Sequence, residues 1–216
     1  MKKVLSNNVP NYVGFKKLTE KLDDVIFDKL EALFSNKGEE TLFEYGKLIN
    51  DYIMRKLSNL IWHHNREKNP TDVIYESQIR EYEWIEARHI ELPEADKTVN
   101  EAMWAVTKSL LRRMEKAFSP SSKLRYLSSA MVSLSSAYSL SFPGKQKKAS
   151  ADFFIPALVL VLLRTKLKSP IATYKYLQHF GNYSEGSDFE EQHRVFFNSC
   201  NAYLLELSVE ALTMSE

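Results

Sequence analysis

A single cysteine, Cys200, stands in 216 residues, which excludes an intramolecular disulfide framework and any Cys-based zinc site. That scarcity fits a reducing, cytoplasmic setting. Glycine is scarce too, six in all and mostly in short breaks between long periodic stretches, which points to helices. No charge of one sign dominates. Lys and Arg total 29 against 28 acidic residues, a formal net charge of +1, whereas a dedicated nucleic-acid binder shows a basic excess, so no nucleic-acid partner is expected. Long apolar runs are also missing. The longest, 153–163, spans 11 residues and contains Pro156, against the about 20 needed to cross a bilayer. Two lysines near the N-terminus have no apolar region behind them, so no signal peptide is expected. What remains is a composition 44% apolar and 26% charged, enough for a packed core in a soluble protein of ordinary domain size.

The apolar spacing predicts helices throughout. The first covers 15–34, ending at Asn36-Lys37-Gly38, and a second covers 40–67 with Leu42, Tyr45, Ile49, Tyr52, Ile53 and Leu60 on one face. Asn69-Pro70-Thr71 breaks it, and a less regular helix follows over 73–89. Leu92-Pro93 precedes a helix ending near Phe118; Ser119-Pro120 opens the next, striped by Leu124, Leu127, Met131 and Leu134. A basic loop with Lys145, Lys147 and Lys148 leads to a helix over 152–168 that is apolar almost all round and therefore central. Ser169-Pro170 reads as a cap with proline at the first helical position of a helix to about Phe180. After a polar loop over 181–187, Asp188 and Glu191 have capping-box spacing at the start of the last helix. Nothing alternates with period two for long enough to form a strand. The expected fold class is all-α.

Self-contained chemistry is hard to find. His63 and His64 are adjacent and point about 100° apart on a helix, and His89, His179 and His193 have no ligand partner at a recognised spacing, so no metal site is expected. Cys200 and His193 are seven residues apart, a rise of roughly 10 Å, too far for a nucleophile and its base. No phosphate-cradling glycine loop or dinucleotide fingerprint is present, and no cofactor is expected. Asp152, heading the most apolar helix, reads locally as a cap that stabilises it by about 1 kcal/mol.

Four segments in order carry a family likeness. They are Trp84-Ile85 with His89-Ile90-Glu91-Leu92; Pro120-Ser121-Ser122-Lys123-Leu124; Ser150-Ala151-Asp152-Phe153-Phe154-Ile155-Pro156 running on to Leu162-Leu163-Arg164; and Tyr176-Leu177-Gln178-His179-Phe180. Together they resemble the vacuolar-protein-sorting-nine (Vps-nine) domain, whose members are guanine nucleotide exchange factors for Rab-five-subfamily endosomal GTPases. The third segment, close to "A-D-x-F-x-P…L-L-R", is the specific one. The resemblance implies a layered helical exchange domain over 69–213, with the helices of 1–68 as a buttress. It implies that Asp152 is an aspartate finger that enters the GTPase nucleotide site, engages the phosphate-loop lysine and opposes magnesium and phosphate. It further implies a groove between the helix after Asp152 and the last helix, with Phe153, Pro156 and Leu160 on one wall.

The last helix departs from the pattern. Where the family has "G-Y-Y-F-T-N-L", with the first tyrosine and the threonine touching the GTPase, this chain reads His193-Arg194-Val195-Phe196-Phe197-Asn198-Ser199. Arg194 stands at the tyrosine position and Phe197 at the threonine position; a shift of one residue puts His193 first. Two expectations follow: an exchange factor for a nucleotide-free or GDP-bound Rab GTPase, or a catalytically weak GTPase-binding scaffold in endosomal trafficking. Either is cytoplasmic, with membrane association at endosomes only through partners.

Overall fold

The computed structural model describes residues 12–34, 38–66, 69–90, 104–141, 151–181 and 188–208. The Leu92-Pro93 break, the lysines of 145–148 and the loop over 182–187 lie outside them. The described residues form α1 (Tyr12–Leu33), α2 (Glu39–Arg66), α3 (Pro70–Glu81), a 3-10 turn (Ala87–Ile90), α4 (Ala105–Lys116), α5 (Pro120–Ser141), α6 (Ala151–Thr165), α7 (Pro170–Phe180) and α8 (Asp188–Glu206). No strand occurs among the described residues, and the fold is all-α.

α6 is the centre because it has no polar face to give to water. Ala157, Leu158, Val161, Leu162 and Leu163 are fully enclosed, and α4, α5, α8 and the 3-10 turn pack around them. Each such leucine or valine contributes on the order of 1.5–3 kcal/mol by leaving water. A smaller second core joins Met54 and Ile61 of α2 to Ala172, Tyr176 and Phe180 of α7.

Helix ends show where tertiary contacts overrule local pattern. α3 starts three residues before the expected Val73: the Asn69 side chain accepts the Thr71 N–H at 3.2 Å and Pro70 lies in the first turn. It stops at Glu81, eight residues short of the periodic stretch. Arg164 of α6 takes the carbonyls of Glu83 and Ile85 at 2.8 and 2.7 Å, and buried Tyr82 donates its hydroxyl to Leu207 O at 2.8 Å. A carbonyl held by a guanidinium is directed away from the helical ladder. α6 likewise ends at Thr165 rather than Lys168, because Lys166 turns left-handed at φ 54°.

Ser169 sits at the N-cap of α7, yet its side chain makes no capping bond. The orphan amides are taken from elsewhere. Asp72 Oδ1 accepts from Ile171 N at 2.9 Å and Oδ2 from Ala172 N at 3.1 Å. Glu115 Oε1 accepts from Lys168 N and Ser169 N at 2.6 and 2.8 Å. Two carboxylates at a helix N-terminus also meet the positive end of its dipole.

Candidate functional site

The backbone of Asp152 lies at the second position of α6; its side chain is outside the described residues. Because the helix begins at Ala151, Asp152 belongs to its first turn rather than to the cap position. Pro156 sits inside the helix, and with no N–H it cannot bond the Asp152 carbonyl four residues back. The turn carrying the aspartate is therefore held by one backbone bond fewer than an ordinary one.

Beside that turn, α6 and α8 leave an apolar surface. The rings of Phe154 and Phe196 lie 5.5 Å apart across the two helices, both half-buried, and Pro156 on α6 is half-buried too. Ile155 on α6 and Val195 and Tyr203 on α8 are exposed. Val195, Ser199 and Tyr203 recur every fourth residue and so share one outward stripe. Cys200 faces the other way, fully buried, with its sulfur 3.9 Å from Ile155 O. Burial pushes its thiol up to about 12, so no thiolate is available for nucleophilic work.

The remaining residues expected at this site divide by burial. Phe153, Leu160 and Phe197 are inside the main core. Phe153 stacks on Tyr138 at 4.1 Å between ring centroids. With at most 4% of their surface open, these three supply packing and offer nothing to a partner in this arrangement. His193 is also buried, which holds its pKa below the usual histidine value. Arg194, at the tyrosine position, is engaged within the protein: Nη1 donates to Leu177 O at 3.2 Å and Nη2 pairs with Glu191. It satisfies a carbonyl in the last turn of α7, where a cation is favoured by the helix dipole. The exposed residues Ile155, Val195 and Tyr203, with half-buried Phe154 and Phe196 between the helices, were missed by reasoning from the family positions, although the outward spacing on α8 was readable.

The other letters of the likeness prove to be clamps. Lys123 is fully buried and donates Nζ to Met114 O and Glu115 O, both at 3.0 Å, closing the C-terminus of α4. Tyr176 donates its hydroxyl to Phe118 O at 3.1 Å. Trp84 packs edge-on against His89 at 5.1 Å, and His89 Nδ1 accepts the Glu86 N–H at 2.9 Å. Lys123, Tyr176 and Arg164 thus each spend a side-chain donor on a main-chain carbonyl that a helix end or turn leaves open. Among the described residues no group of three potential ligands could hold a metal ion.

Comparison with known proteins agrees with this geometry. Residues 104–208 match the family described as Vacuolar sorting protein 9 (VPS9) domain. Similar curated proteins include the "GTPase-activating protein and VPS9 domain-containing protein 1" of Bos taurus, 27% identical over 156 residues, covering 69% of this chain and 11% of the relative. The protein of that name in Homo sapiens is also 27% identical, with 69% and 10% covered. The chain spans about a tenth of the length of the curated relatives it matches. The match ends at Leu207 and Ser208, just beyond α8, and takes in α4 to α8 with the whole apolar surface beside Asp152. What the comparisons show is therefore a match to the VPS9 domain family confined to residues 104–208, a little under half of the chain.

Proposed function

We propose that this protein is a guanine nucleotide exchange factor for a Rab-five-subfamily GTPase, with Asp152 as its aspartate finger. The VPS9 match over residues 104–208 supports Rab exchange activity in general; the subfamily and the role of Asp152 are our reading. The observation that carries it is the position of Asp152, in a first turn deprived of one backbone bond and beside the apolar surface of α6 and α8. Switch residues of the GTPase dock on Ile155, Pro156, Val195 and Tyr203, and the Asp152 carboxylate enters the nucleotide site. A carboxylate 4 Å from a phosphate oxygen opposes it by about 4 kcal/mol at an effective dielectric near 20. Capture of the phosphate-loop lysine removes a second contact from the nucleotide. Each 1.4 kcal/mol is about tenfold in affinity, so the two effects release GDP and magnesium, and by linkage the factor binds the nucleotide-free GTPase best. Residues 1–68 buttress a unit over 69–213, a division supported by the packing of α3 on α7 and α8. The protein acts in the cytoplasm and at endosomal membranes.

Release of a fluorescent GDP analogue from a Rab panel tests this. The protein accelerates release from a Rab-five-subfamily member, and Asp152→Ala abolishes the acceleration while leaving the thermal midpoint unchanged. Absence of acceleration on every member overturns the reading. One observation favours a second reading, the GTPase-binding scaffold: Arg194 replaces the family tyrosine and is committed to Leu177 O. A scaffold retains the GTP-bound Rab in a pull-down, an exchange factor the nucleotide-free one.

A further inference from the structure

Basic residues are concentrated in one stretch of an otherwise balanced chain. Residues 104–141 hold Lys108, Arg112, Arg113, Lys116, Lys123 and Arg125 against a single acid, Glu115, while the whole chain carries a net charge of +1. Four of these cations lie on α4, which buries Thr107, Leu111 and Met114. Counted round the helix from Thr107, Lys108 stands at about 100°, Arg112 at about 140°, Lys116 at about 180° and Arg113 at about 240°. All four fall inside one arc of about 140°, centred nearly opposite the buried row. Arg112, Arg113 and Lys116 are exposed, and Lys108 is half-buried.

The acids that reach this layer are few and engaged. Glu115 stands at the edge of the arc, about 80° from Thr107, and its Oε1 accepts the amides of Lys168 and Ser169 at 2.6 and 2.8 Å. That contact places the backbone of exposed Lys168, a fifth cation, at the same edge. α5, which packs along α4, contains no acidic residue, and α6 contains only Asp152. Asp51 of α2, which meets Ser121 at the start of α5, is paired with Arg55 at 2.8 Å. Lys108, Arg112, Arg113 and Lys116 form no ion pair and no side-chain hydrogen bond among the described residues.

We propose that the outer face of α4 docks on the anionic surface of a lipid bilayer, with Lys108, Arg112, Arg113 and Lys116 against negatively charged headgroups. The face is the convex outside of one helix, and its long side chains are tied to nothing within the protein. An acidic segment of another protein meets such a face only through exposed ion pairs, each of them weak in water. A bilayer presents a continuous sheet of negative charge that engages several cations at once, needs no groove, and gains with every Lys or Arg brought near it. A second copy is disfavoured, because it sets these cations against one another. The attachment is electrostatic, since the apolar row of α4 is spent on the core, and no helix among the described residues is long and apolar enough to cross a membrane. Direct docking replaces the expectation that membrane association runs only through partners, and it is independent of the exchange reading because no GTPase takes part.

Co-sedimentation of the full chain with vesicles of phosphatidylcholine alone, or of phosphatidylcholine with phosphatidylserine, tests the proposal. The protein sediments with the phosphatidylserine vesicles only, and added salt releases it. Arg112→Gln with Lys116→Gln lowers the partition coefficient roughly 30-fold, equivalent to about 1 kcal/mol for each cation. Lys21→Gln with Lys29→Gln, at exposed positions of α1, removes the same net charge elsewhere and leaves partition nearly unchanged. Glutamine is a good helix former and these positions are exposed, so circular dichroism and the thermal midpoint of both variants match the parent. Absence of binding to phosphatidylserine vesicles, binding unaffected by the α4 pair, or an equal loss from both pairs overturns the proposal. So does capture of the protein by soluble poly-glutamate without vesicle binding, which assigns the face to an acidic protein.

Discussion

The carboxylate of Asp72 caps a helix that starts 98 residues further along the chain: its Oδ1 accepts the amide of Ile171 at 2.9 Å. The neighbouring Ala172 amide goes to Oδ2, and the Asn69 amide donates to the same oxygen at 3.0 Å. One acidic residue in the first turn of α3 thereby fixes the entry of α7, whose far side packs against α2.

Asp72→Ala leaves buried amides of Ile171 and Ala172 without acceptors and costs about 1–3 kcal/mol, read by urea unfolding at pH 7. Burial is the largest influence on this carboxyl and raises it from 3.8 to about 6, while the amides of Ile171 and Ala172 pull it back down. The native state therefore holds more protons than the unfolded one between pH 4 and 6, and the Asp72 contribution falls as pH rises through that window. The stability difference between parent and Asp72→Ala is largest near pH 4 and shrinks to a plateau above pH 6. A difference that grows with pH contradicts the assignment.

Lys123→Met keeps the stem's packing and removes two charge-assisted bonds at the end of α4, exposing nothing new. The expected loss is about 1–3 kcal/mol in chemical denaturation. An unchanged midpoint means that Met114 O and Glu115 O find other donors.

Lys166→Gly relieves a left-handed backbone that costs an L-residue about 1 kcal/mol. The lost ion pair to Glu83 is exposed and offers little in exchange. The variant melts higher, and a lower melting temperature refutes the strain.

Arg194→Tyr restores the family residue and releases Leu177 O from its clamp. Stability falls by about 1 kcal/mol. On the exchange reading, nucleotide release from the cognate Rab accelerates relative to the parent; an unchanged rate argues that this position makes no contact with the GTPase.

Much of the helical layout was legible in periodicity, because a buried helix face must recur near 3.6 residues whatever lies against it. Pro120 opened α5 as expected, since caps and prolines act within one turn, whereas Asn69-Pro70, read only as the break after the second helix, is the cap and first turn of α3. The end of α3 was not legible: Arg164, about 80 residues away, holds the carbonyls that would have continued it. Nor was the true cap of α7, where Ser169 had the right chemistry and Asp72 and Glu115 had the position.

The candidate site divides in the same way. Asp152, Pro156 and their family likeness were readable as letters, but Lys123, Arg164 and Tyr176, readable in the same motif, could be recognised as clamps only once the carbonyls opposite them were known. Phe153, Leu160 and Phe197 look like surface contacts when taken by position and are core when taken by burial.

Sequence by itself determined that the chain is helical, that 152–163 must lie at the centre and that an aspartate heads it, because periodicity, apolar content and local caps act over a few residues. Tertiary structure alone decided which apolar faces are buried and which carbonyls or amides find distant partners. Those outcomes depend on what packs opposite each helix, and one chain position carries no record of its neighbour across the fold.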